Sequence, residues 1–168
     1  MNGSLTARAH DIQLVVFDFD GVFTDNRVLV LEDGREAVMC NRSDGLGIER
    51  ARAAGLNMLV LSKEQNPVVG ARCRKLKLDY IQGCDDKATR LQQLAAERGV
   101  ALSHIAYLGN DVNDLPCLKL VGLPAGVADA YPEIVPHCVL ITQKPGGHGA
   151  VREFCDILLA AKGLLPAL

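Results

Sequence analysis

The chain contains no tryptophan, and only 4% of its 168 residues are aromatic. It also has no run of about 18 apolar residues, the length that a membrane-spanning helix needs. The first residues, MNGSLTARAHDIQ, include no apolar stretch typical of a secretory signal. A formal net charge of −2 argues against a protein that binds nucleic acid by neutralising phosphates. We therefore expect a cytoplasmic protein with neither nucleic acid nor a membrane as a partner.

The six cysteines lack the spacing of a metal site or a redox pair. No CxxC pair occurs, and no cysteine stands at a metal-type distance from a histidine. Without an export signal, we expect reduced thiols that mostly fill the core, and neither zinc nor disulfides. The cysteines are Cys40, Cys73, Cys84, Cys117, Cys138 and Cys155.

The order of apolar and amphipathic stretches is typical of one α/β domain over residues 1–168. An apolar fraction of 49% and this length support a full core. Strand-like runs alternate with amphipathic stretches, as in a doubly wound parallel sheet with helices on both faces. We predict strands over 13–18, 57–62, 79–82, 104–109, 121–124 and 138–141. We predict helices over 45–55, 66–76, 86–99, 112–119, 130–135 and 149–162.

Residues 26–41 interrupt this alternation with two β-type runs joined by Asp33-Gly34, a strong hairpin signal. An isolated two-stranded hairpin is marginally stable in water, so its apolar residues need a surface to pack on. We expect this flap to pack between subunits, and a solvated hairpin is the alternative. The apolar residues are Val28, Val30, Val38 and Met39.

The most specific pattern lies at 15–25, where a buried apolar strand runs into two carboxylates. Asp18 and Asp20 are separated by one residue and therefore share a face of the strand, and Gly21 lets the backbone turn away sharply. Such a pair can hold Mg²⁺ through oxygen ligands, and one carboxylate can attack phosphorus while the other handles protons. An acidic turn is the alternative for a lone D-x-D, but the match here extends over D-x-D-G-V-x-T-D.

Further polar residues follow the other predicted strands, at the edge where open parallel sheets bind ligands. The hydroxyl of Ser62 can donate a hydrogen bond to a phosphoryl oxygen, and Lys87 can neutralise carboxylate and phosphate charge. Asn110 and Asp111 follow the fourth strand, and Asp114 lies one helical turn further on. Taken singly, Ser62 could be a helix cap, Lys87 a solvated charge and Asp114 a partner of the helix dipole.

Together these residues resemble the haloacid dehalogenase phosphohydrolases, a family with a Rossmann-like sheet, over residues 12–162. The resemblance implies that Asp18 is a nucleophile that forms an aspartyl-phosphate and that Asp20 is the acid and base. It implies that Ser62 and Lys87 stabilise the phosphoryl group and that the cofactor is Mg²⁺. The implied metal ligands are Asp18, Asp20, Asn110 and Asp111, with Asp114 in support.

One departure from this family concerns the metal site. The family usually has aspartate where Asn110 stands, and an amide oxygen binds Mg²⁺ without contributing a negative charge. Asp111 follows directly and can compensate, either as a ligand or through water. Which of the two is the direct ligand stays open at this point.

Two further motifs resemble the 3-deoxy-octulosonate 8-phosphate phosphatase group. They are D-G-L-G-I at 44–48 and G-G-H-G-A-V-R-E at 146–153. The resemblance implies a phosphatase without a cap domain, in which a homotetramer covers each site and the substrate is a small-molecule sugar phosphate. The residues implied in substrate binding are Thr24, Asp25, Asp44, Gly45, Glu64, Lys75, His148 and Arg152.

The identity of the sugar acid depends on Glu64 and Lys75. Octulosonate phosphatases usually have arginine at the position of Glu64. Relatives that act on nine-carbon acids have glutamate at this position and a lysine further along the helix, which Lys75 matches. A 2-keto-3-deoxy nonulosonate 9-phosphate is therefore the favoured substrate, and 3-deoxy-D-manno-octulosonate 8-phosphate is the alternative. Residues 64–78 are also similar to the phosphatase-like domain of acylneuraminate cytidylyltransferases. A solvated helix face is the alternative interpretation of Glu64 and Lys75.

Two alternatives belong to other functional classes. A receiver-type signalling domain combines similar residues, but its phosphate-accepting aspartate lies mid-chain and no hairpin follows it. A weakly active or non-catalytic oligomerisation domain associated with a cytidylyltransferase is the other alternative. The intact pair of Asp18 and Asp20 argues against it, while Asn110 is compatible with it.

Overall fold

The structure is a computed structural model that describes the backbone of residues 3–165. Six of its strands form one sheet and two form a separate hairpin. The strands are β1 (Leu14–Phe17), β2 (Thr24–Val30), β3 (Glu36–Cys40), β4 (Asn57–Leu61), β5 (Asp79–Ile81), β6 (Ile105–Gly109), β7 (Leu123–Gly126) and β8 (Leu140–Ile141). The α-helices are α1 (Gly3–His10), α2 (Arg42–Ala53), α3 (Val68–Leu76), α4 (Lys87–Arg98), α5 (Leu115–Leu118) and α6 (Ala150–Ala161).

The large sheet is parallel throughout, in the order β5-β4-β1-β6-β7-β8. The chain builds outward from β1 through β4 to β5 and then crosses to β6 on the other side of β1. The reversal of strand order creates a crevice at the carboxyl end of β1, where open α/β sheets bind ligands. In register, Phe17 pairs with Val60 on one side and with Leu108 on the other.

Helices cover both faces of the sheet, so the predicted doubly wound α/β fold is confirmed. Alternate residues of each strand enter two different cores. In β1, Val15 and Phe17 pack with residues of α2, α3 and α6, whereas Leu14 and Val16 pack with residues of α4 and α5. All four residues of β1 are buried, as expected of a central parallel strand.

The hairpin predicted over 26–41 is confirmed as the antiparallel pair β2 and β3. It follows the carboxyl end of β1, and its turn includes Gly34 at φ +81°. A register shift between Thr24 and Val28 marks an irregularity where the hairpin begins. Large apolar side chains of this hairpin are exposed in the single chain: Val28, Leu29, Val30, Leu31 and Met39.

Several element predictions need correction. The helix predicted over 130–135 is wrong: this region forms turns and a 3₁₀ helix over Val135–His137, because Pro132 and Pro136 lack the N–H that a helix needs. The helix predicted over 112–119 is divided into a 3₁₀ turn at Val112–Asp114 and the short α5. Helix α1 was not predicted.

The strand predicted over 121–124 begins two residues later, at the start of β7. The N–H of Gly122 donates to the carbonyl oxygen of Leu102, and a side chain at this glycine would overlap the backbone of Ser103. This contact binds Gly122 to the 3₁₀ helix at Leu102–His104, which precedes β6, and the strand begins only after it. None of the described helices is long and apolar enough to cross a membrane.

Candidate active site

Asp18 follows β1 directly and lies at the centre of the crevice. Its N–H donates to the carbonyl oxygen of Leu108 at 3.0 Å, which fixes it to the end of β6. Its carboxylate oxygen Oδ1 accepts a 2.6 Å hydrogen bond from the N–H of Phe19. Asp18 is only 4% exposed, so its carboxylate is held in one place and is largely shielded from water.

Lys87 forms a buried ion pair with Asp18. Its Nζ lies 2.8 Å from Oδ1 of Asp18 and 2.9 Å from Oδ1 of Asp114. Asp86 accepts a hydrogen bond from the N–H of Thr89 as the N-cap of α4, so Lys87 is the first residue of that helix. The predicted association of Lys87 with the acidic residues at the strand ends is therefore present in the structure.

Asp114 is fully buried, and in addition to Lys87 its carboxylate binds β6 and the loop that follows β6. Its Oδ1 accepts a 2.7 Å hydrogen bond from the hydroxyl of Tyr107, and its Oδ2 accepts one of 2.9 Å from the N–H of Asn110. A side chain at Gly109 would overlap the Asp114 carboxylate, which explains the glycine. The sequence patterns predict no role for Tyr107, although a tyrosine within the apolar strand β6 needs a buried partner for its hydroxyl.

Burial and neighbouring charges shift the pKa values of the acidic pair. For Asp18, burial and the charge of Asp114 raise the pKa, against the opposing effect of Lys87. Burial first, and then the charge of Glu64, raises the pKa of Asp20 to about 6. For Lys87, the two carboxylates outweigh burial and raise the pKa, so its ammonium stays charged.

The loop after Asp20 turns tightly around Thr24. The Thr24 hydroxyl oxygen accepts hydrogen bonds from the N–H groups of Gly21 at 3.1 Å and Asn26 at 3.2 Å. Gly21 adopts φ +73°, and a side chain there would overlap the Asn110 amide. Thr24 is fully buried and supports the loop, while Asp25 binds the Arg27 guanidinium at 3.1 Å.

Ser62 follows β4 and begins the neighbouring loop. It is buried, and its Oγ accepts a 3.1 Å hydrogen bond from the N–H of Glu64. The hydroxyl hydrogen of Ser62 is thus available for a ligand. Oε1 of Glu64 accepts from the N–H groups of Gln65 and Asn66 at 2.6 and 2.7 Å, so the loop also holds this glutamate in place.

These residues converge on a cavity of about 150 Å³ at the carboxyl edge of the sheet. Lys87 and Asp114 lie directly behind the Asp18 carboxylate. The arrangement combines a shielded carboxylate, a second acid with a raised pKa, a hydroxyl group and a fixed cation, as needed for phosphoryl transfer. The predicted site residues that line it are Asp18, Asp20, Ser62, Glu64, Asn110 and Asp111.

Comparisons with known proteins agree with this geometry. Residues 72–154 match the family model of the haloacid dehalogenase-like hydrolases. Over 166 residues the chain is 34% identical to a 3-deoxy-D-manno-octulosonate 8-phosphate phosphatase of Escherichia coli K12, covering 98% of this chain and 88% of the relative. The chain belongs to the haloacid dehalogenase-like hydrolases. It is a phosphomonoester hydrolase of this family.

Solved structures of this family support the same assignment. A protein of Streptomyces avermitilis, assigned to HAD family hydrolases without a named substrate, superposes with a TM-score of 0.88 at 51% identity, covering 93% of this chain and 89% of that one. The octulosonate 8-phosphate phosphatase of Moraxella catarrhalis, in complex with magnesium, phosphate and KDO, gives a TM-score of 0.94 at 31% identity. That alignment covers 97% of this chain and 94% of the Moraxella chain.

The residues at the family's metal position have suitable oxygen donors. Within residues 3–165, no three His, Cys, Asp or Glu side chains are grouped to hold a metal ion. The predicted set does not require such a group, because it combines the Asp18 carboxylate, the main-chain carbonyl of Asp20 and an oxygen of either the Asn110 or the Asp111 side chain. The three side chains line one cavity, and Gly21 leaves room for the amide. A set of hard oxygen donors fits Mg²⁺.

Asp44 and Arg152, which were also predicted to bind substrate, form a contact between helices α2 and α6. Asp44 is fully buried in α2, and its Oδ1 accepts a 3.1 Å hydrogen bond from the N–H of Arg152 in α6. The Arg152 side chain binds Asp156 at 2.6 Å. In the described chain neither residue lines the catalytic cavity, and their part in substrate binding stays a prediction.

The remaining predicted residues also lie outside the catalytic cavity. His148 is hydrogen-bonded through Nδ1 to the carbonyl oxygen of Gly146 at 2.8 Å. Gly45 and Lys75 line a separate cavity of about 530 Å³ formed by residues of α2 and α3. Lys75 therefore does not line the catalytic cavity of the described chain, and its part in substrate binding stays a prediction.

Proposed function

We propose that this protein hydrolyses the terminal phosphate ester of a 2-keto-3-deoxy sugar acid through an aspartyl-phosphate on Asp18. The observation that carries this proposal is the position of Asp18, which is buried at the end of β1 with the Lys87 ammonium 2.8 Å from its carboxylate. The cation counters the repulsion between a nucleophilic carboxylate and an anionic phosphoryl group, so the two can approach.

In the first step, an Asp18 carboxylate oxygen attacks phosphorus in line with the ester oxygen. The phosphorus–ester oxygen bond breaks, and Asp20 donates its proton to the departing sugar oxygen. A pKa of about 6 leaves part of Asp20 protonated near neutral pH, as a general acid requires. Ser62 donates a hydrogen bond to a phosphoryl oxygen, and Lys87 offsets the accumulating negative charge.

In the second step, Asp20 removes a proton from water, which attacks the phosphorus of the aspartyl-phosphate. The bond from phosphorus to the Asp18 oxygen breaks, releasing inorganic phosphate and restoring the carboxylate. Asp20 ends protonated, ready for the next cycle. Asp18 therefore acts as the nucleophile, and Asp20 transfers protons, as an acid in the first step and as a base in the second.

A divalent cation would be held by Asp18, the Asp20 carbonyl and either Asn110 or Asp111. When bound, Mg²⁺ supplies charge neutralisation for the transferring phosphoryl group. The chain's own residues keep the site shielded and fix the nucleophile. Proteins of this family with solved structures include one in complex with magnesium, which supports this choice of metal.

For the substrate, the relatives favour the eight-carbon acid over the nine-carbon acid predicted from Glu64. The Escherichia coli relative is a 3-deoxy-D-manno-octulosonate 8-phosphate phosphatase, and the Moraxella structure contains KDO. We therefore propose 3-deoxy-D-manno-octulosonate 8-phosphate as the first candidate. A nonulosonate 9-phosphate is the second, because Glu64 lines the catalytic cavity at the position where octulosonate phosphatases usually have arginine.

We also propose that the protein assembles as a homotetramer through its hairpin. Leu29 and Met39 are 62% and 74% exposed in the single chain, which is costly for a hairpin in water. The intact arrangement of Asp18, Asp20 and Lys87 supports a catalytic protein rather than an oligomerisation domain alone.

A substrate panel tests the proposal. The expected result is Mg²⁺-dependent release of phosphate, with kcat/KM highest for an eight- or nine-carbon keto sugar acid phosphate and much lower for p-nitrophenyl phosphate. EDTA should abolish turnover, and Asp18→Asn provides the inactive control. Equal kcat/KM for the sugar acid phosphates and simple monoesters would contradict the proposed substrate class but leave the phosphatase assignment in place.

A further inference from the structure

A second cavity, of about 280 Å³, adjoins the catalytic one between the hairpin and the start of α3. The two cavities share three lining residues, Asp20, Asn26 and Glu64. Asp20 is the group that delivers a proton to the leaving oxygen in the proposed mechanism. The second cavity is therefore where the part of the substrate bonded to that oxygen would lie.

Glu36, the first residue of β3, lines this second cavity. Asn66 donates a 3.0 Å hydrogen bond from Nδ2 to its Oε2, which holds the carboxylate in place. Among residues 3–165 its Oε1 has no hydrogen-bond partner and is free to accept one from a ligand. The charge of Glu36 also reaches Asp20, whose pKa it helps to raise behind the larger effects of burial and Glu64.

Glu64 presents a second acceptor to the same space. Its Oε1 is occupied by two backbone N–H groups, and within the described chain its Oε2 accepts no hydrogen bond. The cavity's cation, Arg27, is 83% exposed and already paired with Asp25 at 3.1 Å. Three valines complete the wall: Val28, Val38 and Val68.

We propose that this cavity is a leaving-group subsite, with Glu36 as a specificity residue that accepts hydroxyl groups and excludes a carboxylate near the phosphoester. The inference rests on the proposed phosphatase function. Carboxylates with free oxygens suit hydroxyl donors, and the valines suit the C–H groups of a polyol, whereas a second carboxylate would be repelled. In a sugar acid phosphorylated on its terminal carbon, the hydroxylated chain adjoins the phosphate and the carboxylate is at the far end.

Two small esters isolate this effect. Glycerol 3-phosphate and 3-phosphoglycerate share the phosphate and the neighbouring hydroxyl group. The first has a hydroxymethyl group where the second has a carboxylate. Each ester is tested as an inhibitor of p-nitrophenyl phosphate turnover. The inhibition constant of 3-phosphoglycerate divided by that of glycerol 3-phosphate gives the preference ratio. We expect the wild type to prefer glycerol 3-phosphate, and Glu36→Gln to lower the ratio about three- to tenfold, as removing one unit charge a few ångströms away would do.

Glu32→Gln is the matched control, because it removes the same charge from the same hairpin and Glu32 does not line either cavity. It should leave the ratio unchanged. NMR titration of both esters into the Asp18→Asn variant, with and without Glu36→Gln, gives the ratio without turnover. An unchanged ratio in Glu36→Gln, or equal binding of the two esters by the wild type, would overturn the subsite. A wild type without any phosphatase turnover would instead overturn the proposed function.

Discussion

The hydroxyl of Tyr107 donates a 2.7 Å hydrogen bond to Oδ1 of Asp114, the same oxygen that binds Lys87 at 2.9 Å. Both Tyr107 and Asp114 are fully buried. The ammonium of Lys87 in turn contacts Asp18 at 2.8 Å. Tyr107 therefore orients Lys87 through Asp114, although it does not line the catalytic cavity.

We expect Tyr107→Phe to lower kcat with little change in KM, because Asp114 loses a donor that fixes it and Lys87 becomes less well oriented. The loss of one buried hydrogen bond should also lower the free energy of unfolding by about 1–2 kcal/mol. Steady-state kinetics and denaturant unfolding test both effects. Tyr131→Phe is the control, since Tyr131 is exposed and should tolerate the change. Unchanged kcat in Tyr107→Phe would contradict the orienting role.

We expect the contribution of Asp44 to the free energy of unfolding to decrease as the pH rises. Burial raises the pKa of Asp44 to about 6, above the ordinary value of an aspartate, although the hydrogen bond from the Arg152 N–H opposes this. The folded state therefore binds the proton more tightly than the unfolded state does. The contribution of Asp44 to the free energy of unfolding is fully present below about pH 4. It is lost as the pH rises through 6, by roughly 3 kcal/mol in total.

Asp44→Asn should remove this dependence, because the amide oxygen can still accept from Arg152 and does not titrate. The measurement is denaturant unfolding of both proteins between pH 4 and pH 7.5. Relative to the wild type, the variant should gain stability steadily from pH 4 to pH 6. A stability difference that does not vary with pH would contradict the raised pKa.

Much of the fold could be predicted because its signals are local. Each central strand is a short apolar run followed by polar residues, and β1, β4 and β6 were predicted within one residue at each end. Helix α1 could not be predicted in this way, because it is short and rests on tertiary packing against α6. The proline-rich stretch at 130–137 had apolar residues but could not supply helical N–H groups.

The catalytic cluster was also predictable, because parallel strands bring their carboxyl ends to one edge. The contacts that support it were not. Tyr107 has a place in the cluster only through its register beside β1, and Glu36 reaches the second cavity only because the hairpin folds toward α3. Thr24 and Asp44 belong to motifs that resemble the family and were predicted to bind substrate. In the described chain they instead form hydrogen bonds with other residues of the protein.

The hairpin should hold the subunits together. Leu29→Glu combined with Met39→Glu places charges on its exposed apolar surface, so we expect the proposed tetramer to dissociate. Light scattering coupled to gel filtration gives the mass of each form. Val135→Glu changes an exposed apolar residue away from the hairpin and should leave the mass unchanged. A wild type that is monomeric and fully active would contradict the proposed assembly.

Position 64 should influence the choice between the two candidate substrates. Arginine there can bind a carboxylate through two parallel hydrogen bonds, whereas Glu64 repels it. We expect Glu64→Arg to shift the ratio of kcat/KM toward the eight-carbon 8-phosphate, by about 1–3 kcal/mol in transition-state free energy. Lys63→Arg, which keeps the neighbouring charge, is the control. A ratio that is the same in the wild type and Glu64→Arg would contradict a specificity role for this glutamate.

In the proposed mechanism, Asp18 carries the phosphoryl group during turnover. Acid quenching during turnover of a ³²P-labelled substrate, followed by borohydride reduction and peptide mass spectrometry, locates an acyl phosphate on a single residue. We expect label on Asp18 in the wild type, more of it in Asp20→Asn because hydrolysis slows, and none in Asp18→Asn. Label on another residue, or ordinary turnover by Asp18→Asn, would contradict it.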